Sequence, residues 1–414
     1  MKDGFIRVAA ATPDIHVADP QDNSEQSIEL MEQGSARGVK VMVFPELCLT
    51  AYTCSDLFLQ ETLLKETKNG LKRILQSSKS KDMVLFVGMP WMHKGKLYNV
   101  AAVVNRGRIL GIVPKKHLPN YSEFYELRHF TPGMEKVEMT EWEGLQIPMG
   151  MKQLFSCRTM PELVLAAELC EDVWVPCPPS ISHALAGATV IANCSASDET
   201  TGKDRYRYDL ICGQSARLVC GYIYANAGEG ESTQDLVFGG QNIIAENGTC
   251  LVQSDRFKNA CICADMDLGR IISERRRMTT FKDEENKASS YETVYFELNT
   301  EDITKKDSKK AGQKNDEILR YIDPAPFVPH DAGQRERRCE EILSIQAMGL
   351  KKRLAHTNCK HAVIGLSGGL DSTLALLVTI RAFDMLRIPR ENIHCITMPC
   401  FGTTDRTYTN ACTM

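Results

Sequence analysis

The sequence predicts an α/β protein in which a large layered-sheet domain is followed by the start of a second α/β unit. Short apolar runs alternate with helical segments over about the first 270 residues, and tight turns join several of the runs, which is typical of sheets covered by helices. Near the C-terminus, a strand-like run leads through two glycines into an apolar helical segment. We therefore predict three parts: a first domain over 1–275, an extension and linker over 276–335, and an incomplete second domain over 336–414.

The composition is that of an ordinary water-soluble protein and excludes several classes of partner. The 414 residues carry a net charge of -4, with 43% hydrophobic and 25% charged residues. Without a basic excess, nucleic acid is not expected as a partner. The apolar runs are too short or interrupted to span a bilayer, so no membrane partner is expected. The 16 cysteines show no compact disulfide spacing, and no secretory signal is present, so we expect a reducing cytoplasm.

The elements of the first domain follow from hydrophobic periodicity and turn residues. Continuous apolar runs predict buried strands, and polar segments with apolar positions such as Ile28 and Met31 predict helices. Glycines at Asn105-Arg106-Gly107 and Asn247-Gly248 predict hairpin turns. In chain order the predicted elements are strand 5–12, helix 19–38, strand 39–44, helix 55–77, strand 83–91, two strands within 97–113, strands 163–169 and 188–195, a helix near 202–218, and strands 219–227, 242–246, 249–254 and 260–267.

The part of the chain after residue 275 differs in composition. A charged run at 305–310 and the prolines at 324, 326 and 329 predict an extension and linker, because charge and proline prevent a segment from building its own core. A helix over 334–355 then precedes a strand, a glycine loop, a helix and a further strand that begins at His394. This second unit has the order of a single βαβ motif.

Three groups suited to acyl transfer each stand where a predicted strand gives way to a loop. They are Glu46, Lys115 and Cys170. A carboxylate can take the proton of a thiol, and a fixed ammonium can stabilise the oxyanion that forms when the thiolate attacks a carbonyl. Each residue alone also has an ordinary structural explanation, since the acid can cap a helix, the lysine can be solvated, and a free cysteine is usually a small buried hydrophobe.

The segments around these residues resemble a known family. FPELCLTAY around Glu46, VPKKHLPNYSEFYE around Lys115 and ELCEDVWVP around Cys170 are similar to the catalytic segments of the nitrilase superfamily, and in detail to the glutaminase domain of glutamine-dependent NAD⁺ synthetases. The resemblance implies a nitrilase-type α-β-β-α layered sandwich. It also implies Cys170 as nucleophile, Glu46 as general base and Lys115 as the oxyanion-stabilising group. Lys115 rather than Lys116 matches the family's proline-lysine-x-x-leucine-proline pattern.

The same resemblance implies the residues that contact the substrate glutamine. They are Tyr121, Ser197 and Lys203, the last of which stands where the family's pattern favours arginine.

The segment HAVIGLSGGLDST, which begins at His361, carries the chemistry of the second unit. Glycines and the N–H groups at a helix start favour phosphate, but the loop lacks the lysine of a Walker A motif, and capping of the helix is an alternative explanation. The full segment is similar to the pyrophosphate loop of ATP pyrophosphatases, whose domain is a doubly wound parallel sheet. The later segment MPCFGTT also resembles that family, with Cys400 where glycine is usual. The implied ATP-binding residues are Ser367, Gly368, Gly369, Leu370, Asp371, Ser372 and Thr373, with Mg²⁺ as counter-ion and no metal bound by the glutaminase site.

A glutaminase site followed by an adenylating site is the layout of an amidotransferase. The resemblance implies that ammonia from glutamine is used for the ATP-dependent amidation of nicotinic acid adenine dinucleotide to NAD⁺ by a cytoplasmic homo-oligomer. Because a complete adenylating domain usually needs well over 100 residues, we expect this chain alone to perform only the glutaminase half.

Two other functions remain open from the sequence. One is a nitrilase-type amidase with a vestigial C-terminal segment, which a substrate screen without preference for glutamine would favour. The other is a non-catalytic interaction subunit, which the set of chemically matched residues disfavours.

Overall fold

The computed structural model describes residues 4–281, 289–299 and 318–414, so the charged run predicted at 305–310 lies outside the described residues. The chain divides into two compact units, Met1–Tyr321 and Ile322–Met414.

The first unit contains fifteen strands within its described residues, together with five α-helices and three short 3₁₀ helices. The strands are β1 Phe5–Ala11, β2 Val41–Val43, β3 Val84–His93, β4 Lys96–Asn105, β5 Arg108–Pro114, β6 Glu138–Trp142, β7 Leu145–Met149, β8 Gln153–Cys157, β9 Val164–Leu169, β10 Val190–Ser195, β11 Gly221–Asn226, β12 Ile243–Glu246, β13 Thr249–Gln253, β14 Cys261–Asp267 and β15 Glu292–Phe296. The α-helices are α1 Pro20–Ala36, α2 Glu61–Ser78, α3 Pro179–Leu185, α4 Lys203–Leu218 and α5 Leu268–Arg277. The 3₁₀ helices are Tyr52–Leu59, Glu126–Arg128 and Cys170–Val173.

These strands form two sheets. One has eight strands in the order β14-β1-β2-β3-β4-β5-β7-β6, and the other has seven in the order β13-β12-β11-β10-β9-β8-β15. Strands β1, β2 and β3 are parallel, β5 runs in the same direction because both β3 and β5 are antiparallel to β4, and β9, β10 and β11 are parallel. Within each sheet the carboxyl ends of parallel strands meet at one edge, where loops that carry functional groups collect.

Helices cover the outer faces of both sheets, which gives the expected α-β-β-α layers. The two sheets share a core of fully buried side chains that includes Val41 and Phe86 from one sheet and Leu165 and Ile223 from the other. Helices α1 and α2 cover the first sheet through Met31, Leu71 and Ile74, and helices α3 and α4 cover the second through Ala184 and Ile211. Because both faces of each sheet are covered, the side chains that point inward and those that point outward are largely apolar.

Several features of the first unit differ from the sequence-based expectation, and helices α3 and α5 are among the elements that were not predicted. The predicted helix 55–77 is the end of a 3₁₀ segment followed by α2, because Gln60 between them is extended, with φ -86 and ψ 121. Strands β6, β7 and β8 were not predicted, although Leu145, Ile147 and Met149 alternate along β7 as strand residues do. Strand β15 lies within the predicted linker and pairs in parallel with β8, and it carries a single buried residue, Phe296.

The second unit consists of α6 Ala332–Thr357, β16 Ala362–Gly365, α7 Leu370–Leu386, a 3₁₀ turn Arg390–Asn392, β17 Ile393–Ile396 and α8 Asp405–Thr413. Strands β16 and β17 form a two-stranded parallel sheet, so the predicted βαβ order is confirmed. Helix α8 was not predicted, and the Thr404 side chain caps it by accepting from Thr407 N.

Two further properties hold for the described ranges. No helix there is both long and apolar enough to cross a bilayer. All 16 cysteines lie in these ranges, and each is a free thiol.

Candidate active site

Glu46, Lys115 and Cys170 come together at the edge of the first unit where the parallel strands end. Glu46 follows β2, Lys115 follows β5, and Cys170 follows β9. Glu46 and Lys115 are fully buried, and Cys170 is 7% exposed. The Glu46 backbone N–H donates to the Ser195 carbonyl at the end of β10 at 3.2 Å, which joins the ends of the two sheets.

The ammonium of Lys115 lies between two carboxylates. Its Nζ donates to Glu46 Oε1 and to Glu126 Oε1, each at 2.6 Å. Burial lowers the pKa of Lys115, but the carboxylates of Glu126 and Glu46 outweigh it and raise that pKa well above its usual range. Lys115 is therefore a permanent buried cation, which suits a group that stabilises an oxyanion.

The carboxylate of Glu46 is held by three donors. Besides Lys115, Asn99 Nδ2 donates to Oε1 at 2.6 Å, and the backbone N–H of Ala196 donates to Oε2 at 3.1 Å. The turn that carries Glu46 passes directly over Gly88, where a Cβ atom would lie 2.2 Å from the Pro45 carbonyl oxygen. Such a restrained carboxylate is in a fixed place to accept a proton.

Cys170 begins the 3₁₀ helix that ends β9 and has an unusual backbone. Its φ is +38, in the left-handed region that a side chain disfavours, and its N–H donates to Asn193 Oδ1 at 3.1 Å. Burial raises the pKa of the Cys170 thiol well above its usual range, Glu46 raises it further, and Lys115 lowers it. The resting thiol is thus protonated, and a nucleophilic role requires a base beside it.

Asp172 ties the Cys170 loop to the Lys115 loop. Its buried carboxylate accepts from the N–H groups of Leu169 at 3.1 Å, His117 at 2.9 Å and Lys116 at 3.4 Å. Burial raises the pKa of Asp172 to about 6, although these backbone donors lower it.

The two adjacent lysines lie in different environments. The side chain of Lys116 is partly exposed and pairs with Glu135 at 2.7 Å, whereas Lys115 is enclosed. Only Lys115 shares the site with Cys170.

A cavity of about 460 Å³ opens beside Cys170. The predicted glutamine contacts Tyr121, Ser197 and Lys203 all line it, together with Glu126. Tyr121 donates its hydroxyl to Glu171 Oε1 at 2.8 Å.

Lys203 carries the cationic charge of the cavity wall. Its ammonium pairs with Asp198 and lies 5.5 Å from the centre of the Trp174 ring.

Several polar residues of the site escaped the sequence analysis. Glu126 is the last residue of the segment VPKKHLPNYSEFYE, which also contains Lys115. Its place in that segment was the sequence feature that could have identified it. Its second carboxylate oxygen is buried and has no hydrogen-bond partner. Arg207 is also fully buried and donates to Ser197 Oγ at 3.3 Å and to Glu199 at 2.7 Å. No sequence pattern pointed to Asn193 as a site residue, because it is one polar residue inside an otherwise apolar strand.

In the second unit, the predicted ATP loop joins β16 to α7. Gly368 has φ +78, and a Cβ there would lie 1.9 Å from the Thr407 carbonyl oxygen. Gly369 is the N-cap of α7, and no side chain caps this helix start. Ser367 Oγ accepts from Gly369 N at 3.3 Å, and Asp371 is exposed in the first turn.

Metal ligands are not clustered in the described part of the chain, where no group of three or more His, Cys, Asp or Glu side chains is placed to hold an ion.

Comparison with known families agrees with this geometry. The sequence model of the carbon-nitrogen hydrolase family matches residues 7–276. The chain belongs to the carbon-nitrogen hydrolase family. A second model, that of NAD synthase, matches residues 342–414, which include the glycine loop.

Relatives of this carbon-nitrogen hydrolase extend the match over nearly the whole chain. It is 40% identical to the glutamine-dependent NAD(+) synthetase of Mycobacterium leprae, over 99% of this chain and 59% of that protein. It is 26% identical to the synthetase of the same name from Aquifex aeolicus, over 98% of this chain and 63% of that protein. The chain therefore spans about three fifths of the length of these curated relatives.

Solved structures show the same fold. A glutamine-dependent NAD+ synthetase from Acinetobacter baumannii aligns over 99% of this chain and 62% of that chain, with a TM-score of 0.54 and 21% identity. A nitrilase-superfamily amidase from Nesterenkonia aligns over 67% of this chain and 96% of that chain, with a TM-score of 0.52 and 18% identity. The α/β layered fold of the first unit is therefore that of nitrilase-type enzymes.

Proposed function

We propose that this chain hydrolyses glutamine through a thioester on Cys170 and supplies the ammonia in a glutamine-dependent NAD⁺ synthetase. The observation that carries the proposal is the buried Glu46–Lys115 pair, with its 2.6 Å contact, beside a thiol that lines a substrate-sized cavity. The names of the M. leprae and A. aeolicus relatives support the same conclusion.

The first step forms the thioester. The Cys170 sulfur attacks the side-chain carbonyl carbon of glutamine while Glu46 takes the thiol proton, because burial keeps the thiol protonated until that moment. The ammonium of Lys115 stabilises the oxyanion of the tetrahedral intermediate. Glu46 then returns a proton to the leaving nitrogen, and ammonia departs as the C–N bond breaks.

The second step regenerates the enzyme. Glu46 takes a proton from a water molecule, whose oxygen attacks the thioester carbonyl. The C–S bond breaks, glutamate leaves, and the Cys170 thiol recovers its proton. The same base and the same cation thus serve both steps.

The cavity charges favour an amino acid over a simple amide. The lining holds one lysine, Lys203, which pairs with Asp198, and several acids that include Glu171, which accepts from Tyr121. We infer that the α-carboxylate of glutamine contacts Lys203 and its α-ammonium contacts Glu171. Tyr121 and Ser197 add neutral hydrogen-bonding groups. This arrangement distinguishes the proposal from a nitrilase-type amidase that accepts small uncharged amides.

For the second unit, we propose that Ser367–Thr373 contact the phosphates of ATP. The uncapped start of α7 leaves backbone N–H groups for phosphate oxygens, and Gly368 holds a turn that no side chain fits. Asp371 would hold the Mg²⁺ that accompanies ATP and offsets its phosphate charge. The acceptor of ammonia would be nicotinic acid adenine dinucleotide, in a cytoplasmic homo-oligomer.

The test of the glutaminase proposal compares two cysteines. Cys170→Ala should lower glutamine hydrolysis by at least about 10³-fold, because a nucleophile and its base act as one unit. Cys177→Ala changes an exposed thiol outside the cavity lining and should keep full activity. Retention of more than a few per cent of activity in Cys170→Ala would exclude the thioester. A parallel assay with acetamide should show little turnover by the unaltered chain.

A further inference from the structure

A row of buried polar side chains lies behind Cys170, on the face of the second sheet that α3 and α4 cover. Glu168 precedes Cys170 by two positions in β9, and Asn193 in β10 is its direct partner in the parallel pairing. Tyr222 lies on the next strand, β11. Glu168 is 1% exposed, and the other two are fully buried. None of the three lines the cavity described above.

Hydrogen bonds connect this row to the nucleophile. The Tyr222 hydroxyl donates to Glu168 Oε1, and the Ser180 N–H donates to Glu168 Oε2 at 2.8 Å. Asn193 Nδ2 donates to the Tyr222 hydroxyl at 3.0 Å, and Asn193 Oδ1 accepts from the Cys170 N–H at 3.1 Å. The chain of contacts therefore runs from a carboxylate to the backbone of Cys170.

The direction of these hydrogen bonds follows from the charge of Glu168. An ionised carboxylate only accepts, so the Tyr222 O–H must point toward it, and a lone pair of that oxygen remains for Asn193 Nδ2. The Asn193 amide is thereby oriented with Oδ1 toward Cys170. A neutral carboxyl can instead donate to Tyr222, whose O–H is then free to turn toward Asn193 and compete for its oxygen.

Cys170 needs this support because of its backbone. A non-glycine residue at φ +38 costs free energy and persists only where its surroundings hold it. The Asn193 contact is a side-chain hydrogen bond that fixes the amide of the strained residue from behind.

We propose that Glu168 is a positioning residue for the nucleophile, acting through Tyr222 and Asn193 to hold the Cys170 backbone in its attacking conformation. The proposal rests on the glutaminase function proposed for Cys170. Glu168 touches no substrate, and its ionised form gives the active arrangement.

The surroundings of Glu168 bring its titration close to neutral pH. Burial raises the pKa of Glu168 to about 7, the nearby carboxylate of Asp172 raises it as well, and the Tyr222 and Ser180 hydrogen bonds lower it. The other titratable groups that interact with Glu168 are Cys220 next to β11 and Tyr291, whose own pKa values burial raises.

Two substitutions test the row. Glu168→Gln removes the charge at nearly constant shape, and Tyr222→Phe removes the hydroxyl and keeps the ring. Each should lower kcat for glutamine by about 10- to 100-fold with an unchanged KM, since small displacements of a reacting group cost that much. Each should also slow alkylation of Cys170 by iodoacetamide, followed by mass spectrometry. Glu246→Gln changes another buried carboxylate of the same sheet, in contact with Arg320, and should leave both rates unchanged.

The pH dependence of kcat distinguishes a positioning role of Glu168 from a general structural defect in the variant. Gln mimics the protonated carboxyl, so the ratio of kcat between the unaltered chain and Glu168→Gln should be large near about pH 8 and approach 1 near about pH 5.5. A ratio that is constant across this range, or an unchanged kcat in the folded Tyr222→Phe variant, overturns the proposal. If the unaltered chain hydrolyses no glutamine, the function is wrong, and the alkylation rates still decide whether Glu168 positions Cys170.

Discussion

Lys115 and Glu46 form an ion pair of 2.6 Å in which both side chains are fully buried. Desolvation of two charges costs several kcal/mol per ion, so such a pair is a weak contribution to stability. Residues of this kind are concentrated at functional sites, where the protein maintains charges that it could replace with apolar groups. The pair also has a third member, Glu126, whose Oε1 lies 2.6 Å from the same ammonium and whose pKa burial raises to about 8.

Replacement of either of the two adjacent lysines by methionine should have unequal effects on stability and activity. Lys115→Met should abolish glutamine hydrolysis and destabilise the first unit by about 3–5 kcal/mol, because it leaves the buried carboxylate of Glu46 without its counter-charge. Lys116→Met removes a surface pair with Glu135 and should cost less than about 1 kcal/mol and little activity. Urea denaturation and a glutaminase assay measure both quantities. Similar losses in the two variants would contradict the assignment of Lys115.

Asp172 should be required for stability as well as turnover. Asp172→Ala leaves three backbone N–H groups without their acceptor, and each unsatisfied buried donor costs about 1–3 kcal/mol. We expect a lower urea midpoint together with reduced glutaminase activity, since the Cys170 and Lys115 loops lose their connection. Asp255→Ala, at an exposed residue that pairs with Lys258, is the matched control. An Asp172→Ala midpoint equal to that of the control would rule out this role.

The stability of the chain should respond to pH through Glu168. Burial raises its pKa in the folded state to about 7, above the ordinary value of 4.5, so its contribution is fully present below about pH 4.5 and is lost as the pH rises through about 7. Glu168→Gln cannot ionise. The unfolding free energy of the unaltered chain should therefore fall relative to this variant by up to about 3 kcal/mol over that interval. Urea titrations at a series of pH values measure the difference, and a difference independent of pH would show that Glu168 titrates normally.

Gly368 should be essential to the local structure of the second unit. Gly368→Ala places a methyl group 1.9 Å from the Thr407 carbonyl oxygen at φ +78, so the loop must separate from α8. Gly402→Ala is the matched control, because no atom lies within 4 Å of its Cβ position. Hydrogen exchange of the amides in α8 should quicken in the first variant only. Equal protection in both would mean that the glycine loop tolerates a side chain.

The site residues that could be identified from the sequence are those that come directly after predicted strands. Glu46, Lys115 and Cys170 were predictable because each apolar run stops at a polar residue, and the parallel strands bring those stops to one edge. Their roles were inferred from the resemblance of whole segments to a known family, because no single residue indicates a role by itself. The α-β-β-α layering was predicted by the same resemblance, and the core between the sheets together with the helices on their outer faces confirms it.

The remaining site residues depend on tertiary contacts that leave no local pattern. Asn193 and Tyr222 meet across neighbouring strands, and Arg207 becomes a site residue only because α4 packs over β11 and β12. Strand β15 has one buried residue in five, which is too weak a periodicity to distinguish it from a charged linker. Gln60 likewise separates the 3₁₀ segment from α2 by its extended backbone, and the composition of the surrounding segment does not show this.

Strand β15 limits how far the first unit can be shortened from its C-terminal side. Phe296 and, just beyond it, Leu298 belong to the core between the sheets, and the Thr159 hydroxyl donates to the Leu298 carbonyl at 2.6 Å. A chain shortened to end at Arg277 would lose both side chains and would bare the edge of β8. The unpaired N–H and C=O groups of an open edge recruit strands from other molecules. Truncation at the end of the family match would thus convert a covered sheet into a template for aggregation, although every catalytic candidate would still be present.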